Sequence, residues 1–220
     1  NICTAQALLA TMAGMYGAYH GPDGLKRIAM EIHMAASLLA DRLRDLGFVL
    51  TGKDYFDTLN IRLPEGLTSA KAREISQQYE VNFYYPDDKT LRLSMDETVS
   101  LDDLNHMLQI FALLAEEKFV PLTGISTQIS LDASFLRDDD FLMQDVFNSY
   151  HSETELMRYI KKLERRDFSL AHSMISLGSC TMKLNAAIEM LALSWPEFGN
   201  LHPYITIDQA EGYHQLFHEL

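Results

Sequence analysis

Cysteine is nearly missing from this chain of 220 residues: Cys3 and Cys180 are the only two. A pair so small cannot build a disulfide framework, and a reducing compartment is the expectation. Basic side chains are also scarce, with 18 Lys and Arg against 31 Asp and Glu and a formal charge of −13 at pH 7. A field of that sign repels a phosphate backbone and argues against generic nucleic-acid binding. No apolar run approaches the roughly 20 residues of a membrane-spanning helix, and no period of solenoid length recurs. The chain opens on Asn1 without the basic stretch and small-residue cleavage site of a signal peptide. The expectation is a piece of a longer protein.

What remains is ordinary globular composition, 47% hydrophobic and 22% charged, enough to bury a core. Residues 5–19 read as a helix broken at His20-Gly21-Pro22. Pro22 opens a second helix whose Leu25, Ile28, Ile32, Ala35, Leu39, Leu43 and Leu46 fall at three- and four-residue steps, with Gly47 placed to end it in a left-handed cap. Phe48-Val49-Leu50 and the alternating Leu59, Ile61, Leu63 read as strands. Thr68 to Gln78 reads as a helix. Val81–Tyr85 and Leu91–Leu93 read as a hairpin around a turn at Pro86-Asp87-Asp88-Lys89. Ser100 caps a further helix, with Asp102 and Asp103 in its first turn and Leu101, Leu104, Met107, Leu108 and Phe111 facing inward. Helices on a small antiparallel sheet make residues 1–120 an α+β domain.

The character changes after Lys118. Pro121, Gly124, Ser126 and Thr127, then the acidic run Asp138, Asp139 and Asp140, read as a linker over 121–167 with a solvated acidic face. Ser152-x-x-Glu155 is a capping box for a helix with Leu156, Tyr159, Ile160 and Leu163 on one face and Lys161, Lys162, Arg165 and Arg166 on the other. Beyond it come a loop-rich stretch over 168–184, a short helix at Ala186–Leu191, Trp195-Pro196-Glu197-Phe198, His202-Pro203 and a last helix from about Asp208. Residues 168–220 cannot close a core of their own and read as the beginning of another domain.

Chemistry concentrates in the run from His172 to Asn185. Gly178-Ser179-Cys180-Thr181 sets hydroxyl and thiol groups beside a glycine that lets backbone approach a ligand, and it enters a helix near Asn185, where free N–H groups favour an anion. An ordinary helix cap explains the same residues. Other combinations are weaker. Cys180 with His172 lacks a third, orienting residue; His151, His172, Cys180 and His202 show no metal-ligand spacing; Lys183 reads as an anion contact sooner than a Schiff base. Glu153 and Glu155 are accounted for by the capping box, and the methionines sit at core spacing. The residues alone yield an anion-binding loop and no complete catalytic set.

The run His172–Asn185, continued by Trp195-Pro196-Glu197-Phe198 and His202-Pro203, resembles the pyridoxal phosphate (PLP)-dependent glycine decarboxylase family, the P-protein of the glycine cleavage system. Asn1 to Ala10, the His20-Gly21-Pro22 break, and Tyr150 to Glu155 with Arg158-Tyr159 are similar to the same family, so the resemblance covers essentially the whole chain. Ser176 departs from it, standing where the family typically has proline.

The resemblance implies a much longer protein of two similar halves, each of PLP fold type I. Residues 1–120 would be the small C-terminal α+β subdomain of the first half, 121–167 a helical crossover, and 168–220 the start of the second, α/β, PLP-binding half. The family holds PLP on the lysine of a His-Lys pair, which this sequence lacks, so no catalytic residue is expected here and the piece alone is expected to be inactive. His172, Ser179, Cys180, Thr181, Lys183 and Asn185 become the candidates for the glycine or cofactor pocket. The implied activity is glycine decarboxylation with transfer of the aminomethyl group to the lipoyl arm of H-protein. A homodimer, in bacterial cytoplasm or a mitochondrial matrix, is also implied. An α+β interaction domain with an acidic surface, or another fold-type-I decarboxylase, are the alternatives.

Overall fold

The computed structural model describes residues 5–124, 131–166, 188 and 191–220. They fall into two compact units, Met12–Met157 and a second that joins the chain up to Thr11 with Arg158–Leu220. Among the described residues no helix is long and apolar enough to cross a membrane.

The first unit is built on α1 (Ala5–Asp45) from Met12 onward, a helical run interrupted at Gly21, where φ is 62° and ψ −176°. Pro22 follows and restarts the helix, because its fixed φ suits a first helical turn and its missing N–H is not needed there. The expected apolar stripe is half-buried at Leu25, Ile28 and Ile32 and fully buried at Ala35, Leu39 and Leu43. Gly47, at φ 85°, ends α1 as anticipated, with the Phe48 amide donating back to the Leu43 carbonyl at 2.9 Å.

Four strands form one antiparallel sheet: β1 (Val49–Leu50), β2 (Thr58–Arg62), β3 (Tyr84–Asp87) and β4 (Thr90–Ser94), ordered β1-β2-β4-β3. In the central pair Leu59 faces Leu93 and Ile61 faces Leu91, so both strands send the same parity inward. Asn60, Arg62, Arg92 and Ser94 occupy the other face. Between β2 and β3 lies α2 (Ser69–Gln78), capped by the Thr68 hydroxyl accepting from the Lys71 amide. After β4 comes α3 (Leu101–Leu114), which opens on a reciprocal Ser100–Asp103 capping box. α1, α2 and α3 cover the inner face of the sheet, and Phe111 lies at the centre of that layer, with Phe48 at 5.2 Å and Phe83 at 5.4 Å between ring centroids. This is the α+β arrangement anticipated from the sequence.

The hairpin differs in detail. β3 starts at Tyr84 and not Val81, and Pro86 and Asp87 belong to it, leaving Asp88-Lys89 as the turn. Proline is tolerated because β3 is an edge strand whose outward amides have no ladder partner to lose. The Asp87 carboxylate accepts from the Lys89 amide, which holds its carboxyl below the usual range.

Residues 131–151 are irregular apart from single 3₁₀ turns at Ala133–Phe135 and Asp145–Phe147. Asp138, Asp139 and Asp140 are exposed. The helix α4 (Glu153–Glu164) begins at the expected capping box, the Glu155 amide donating to the Ser152 hydroxyl at 3.3 Å and that hydroxyl donating to the Glu155 carboxylate at 2.9 Å.

In the second unit, α5 (Pro196–Gly199) starts on proline and α6 (Glu211–Glu219) closes the chain. The last helix begins three residues later than its sequence signature, because Ile207–Gln209 forms a separate 3₁₀ turn. None of the described residues of Arg158–Leu220 is buried.

Candidate functional site

His172, Ser179, Cys180, Thr181, Lys183 and Asn185, the pocket candidates from the sequence, lie outside the described residues, as does the helix expected at Ala186–Leu191 except for Ile188 and Leu191. The Cys180–His172 pair falls there too. Among the described residues no group of three metal-ligating side chains comes together.

The described polar cluster lies in the first unit, around the break in α1. A helix break leaves carbonyls of the preceding turn in need of donors. That of Tyr19 accepts from His151 Nδ1 at 2.7 Å. The approach is close enough that only glycine fits at position 21. A Cβ there would stand 2.6 Å from the Phe147 carbonyl oxygen and 2.7 Å from His151 Cε1, and φ of 62° is a conformation that other residues rarely adopt. The Phe147 ring lies against Gly17, 3.6 Å from where its Cβ would be. The Tyr16 ring meets that of His20 at a tilt, centroids 4.3 Å apart, and its hydroxyl donates to Glu97 at 3.1 Å. Desolvation by neighbouring side chains, then the hydrogen bond to the Glu97 carboxylate, push the Tyr16 phenol above its ordinary value. Spacing did not reveal this arrangement, since 132 residues separate Tyr19 from His151; the only sequence signal was the Gly-Pro break itself.

A second feature lies in the other unit. Glu197, Phe198, Leu201, Gln209, Ala210, Gly212, Tyr213 and Leu216 line a mostly apolar cleft of about 280 Å³ between α5 and α6. The Tyr213 hydroxyl donates to the Phe198 carbonyl at 2.8 Å, and the two rings meet edge to face at 5.9 Å. His202 Nδ1 accepts from the Tyr204 amide and so has a local role in its turn.

Among the described residues no buried side-chain nitrogen or oxygen lacks a hydrogen-bond partner.

Comparison with known proteins decides the family. The model of the glycine cleavage system P-protein matches residues 1–111. The chain belongs to the P-protein family. Over its whole length it is 51% identical to a glycine dehydrogenase (decarboxylating) of Christiangramia forsetii, and 48% identical to the mitochondrial glycine dehydrogenase (decarboxylating) of Gallus gallus. A glycine dehydrogenase (decarboxylating) of Nostoc is 47% identical, again across the full chain. The chain spans only 22–23% of the length of these relatives; it is a section of a P-protein. Its similarity to both bacterial and mitochondrial members runs through residues 167–187 as well as the α+β unit.

Proposed function

We propose that this chain is the section of a PLP-dependent glycine decarboxylase that joins its two fold-type-I halves. In this reading residues 1–120 are the small C-terminal subdomain of the first half, 121–167 the crossover, and 168–220 the opening of the PLP-binding half. The whole protein decarboxylates glycine and passes the aminomethyl group to the lipoyl arm of H-protein, acting as a homodimer in bacterial cytoplasm or a mitochondrial matrix. PLP, when bound, supplies the electron sink for loss of CO₂.

This chain's own residues do the holding. The hydroxyls of Ser179 and Thr181, the side-chain amide of Asn185 and the Lys183 ammonium are donors suited to the substrate carboxylate or the cofactor phosphate. Cys180 and His172 line the same pocket. The lysine that carries the cofactor lies outside this section, which is therefore inactive alone. The observation that supports the reading is the run from Leu177 to Asn185 in a chain whose full length aligns with glycine dehydrogenases (decarboxylating).

The test is Thr181→Ala and Asn185→Ala in the full-length enzyme, with glycine-dependent exchange of labelled CO₂ as the readout. Each substitution should lower the exchange rate; wild-type rates in both would remove these residues from the pocket.

A further inference from the structure

We infer that the Gly21 break in α1 is a docking seat for the crossover, and that His151 is a positioning residue that fixes where α4 begins. The inference rests on the reading of the chain as the seam of a glycine decarboxylase.

The seat is shaped from both sides. On α1, Gly21 removes the Cβ that would collide with the Phe147 carbonyl and with the His151 ring, and the Phe147 ring packs beside Gly17 at ordinary van der Waals distance. On the crossover, His151 caps the Tyr19 carbonyl that the break exposes. Loops usually have freedom to wander, yet this one is braced by its own side chains. The Asn148 amide donates to the Leu142 and Gln144 carbonyls at 2.9 and 3.0 Å, and the Ser149 hydroxyl to that of Asp145 at 2.6 Å. Leu142 holds a left-handed φ of 52°, a conformation that needs surrounding contacts to persist. Upstream, the Lys26 ammonium and the Arg137 guanidinium each lie over the Phe141 ring, 5.5 and 5.3 Å from its centroid.

The position of the clasp gives it consequence. Ser152, the next residue after His151, is the cap of α4. No slack separates the anchored imidazole from the first turn of that helix, and the chain beyond α4 carries the proposed pocket residues. Releasing His151 therefore loosens the origin from which that chain departs. Misplacement of reacting groups by about 1 Å from a remote change costs on the order of 100-fold in rate.

The experiment compares His151→Ala with His151→Asn, whose amide retains an N–H donor, in the full-length, cofactor-loaded polypeptide. Two readouts are taken: amide hydrogen exchange over residues 152–157, and kcat and KM for glycine-dependent CO₂ exchange. His151→Ala should speed amide exchange at the start of α4 and lower kcat/KM by about tenfold or more, and His151→Asn should restore both in large part. Should His151→Ala not fold, Phe147→Leu, which keeps His151 but trims the ring against Gly17, carries the same expectation. Unchanged amide exchange and kinetics in the Ala variant, or an Asn variant as impaired as Ala, would overturn the inference. Thr181→Ala serves as the control: wild-type turnover there, alongside faster amide exchange in His151→Ala, sinks the pocket reading while the docking seat stands.

Discussion

His33 and Ser37, one turn apart on α1, share a 3.2 Å hydrogen bond between imidazole Nε2 and hydroxyl in the buried layer. The other ring nitrogen donates to the Phe56 carbonyl at 2.9 Å, so one side chain ties the helix to the loop leading into β2. The pair resembles half of a hydrolytic triad, yet both residues are nearly sealed from solvent, at 1% and 6% exposure. Its role is structural. Replacing His33 with Ala removes packed volume and leaves the Phe56 carbonyl short of a donor, for a loss of about 2–4 kcal/mol. Ser37→Ala should cost only about 1 kcal/mol. Urea unfolding midpoints of the two variants should rank in that order.

The inner face of the sheet gives a second expectation. Phe111 is fully buried between Phe48 and Phe83, and Phe111→Ala should destabilise the α+β unit by about 3–5 kcal/mol, measured by thermal or denaturant unfolding. A loss below about 1 kcal/mol would mean that the layer is not packed as described.

Gly21→Ala forces a methyl group onto the Phe147 carbonyl and the His151 ring in a backbone region hostile to alanine. The expected loss is about 1–3 kcal/mol, whereas Gly14→Ala, with open space around its added Cβ, should be neutral or stabilising, since alanine favours helix by up to about 1 kcal/mol over glycine. Opposite signs in paired melting curves would separate a docking contact from simple helix propensity.

The α3 cap supplies a pH signature. Hydrogen bonds from Ser100, its hydroxyl and its amide, hold the Asp103 carboxyl below its ordinary value of 3.8. A carboxyl lowered in the folded state contributes stability that is present above the unfolded value and is lost as pH falls through the folded one. The difference in stability between wild type and Asp103→Asn should therefore be full at neutral pH and shrink below about pH 4. Ser100→Ala should cost about 1 kcal/mol at pH 7.

Cofactor binding offers a check on the whole assignment. If the proposed reading holds, this 220-residue section incubated with equimolar PLP should develop no strong internal-aldimine band above the weak one that surface lysines give, because the sequence holds no His-Lys pair. A strong, borohydride-reducible band would require a lysine of this chain, with Lys183 first to be tested.

How far the sequence reached depends on the range of the physics involved. Local rules carried well. Gly47, the Ser152–Glu155 box and the α1 stripe depend on neighbours within a turn or two, and each lies where its residues placed it. Pro86 misled because a proline beside two aspartates signals a turn, and nothing local says that its strand lies at an edge. The pairing of β2 with β4 across α2, and the capping of Tyr19 by His151, are settled by tertiary packing that no window of sequence contains. The run from His172 to Asn185 is a different case: its residue types suggest anion chemistry, and it lies outside the described residues.

The sheet's borders have one further consequence. β1 offers two residues, and β3 presents Pro86 to the outside with a register break between Tyr84 and Asp87. Neither rim can template an added strand. Should this section clump when expressed by itself, the culprit will be the bare aromatic surfaces of Trp195, Tyr204 and Phe217, giving amorphous, detergent-soluble deposits and no fibrils.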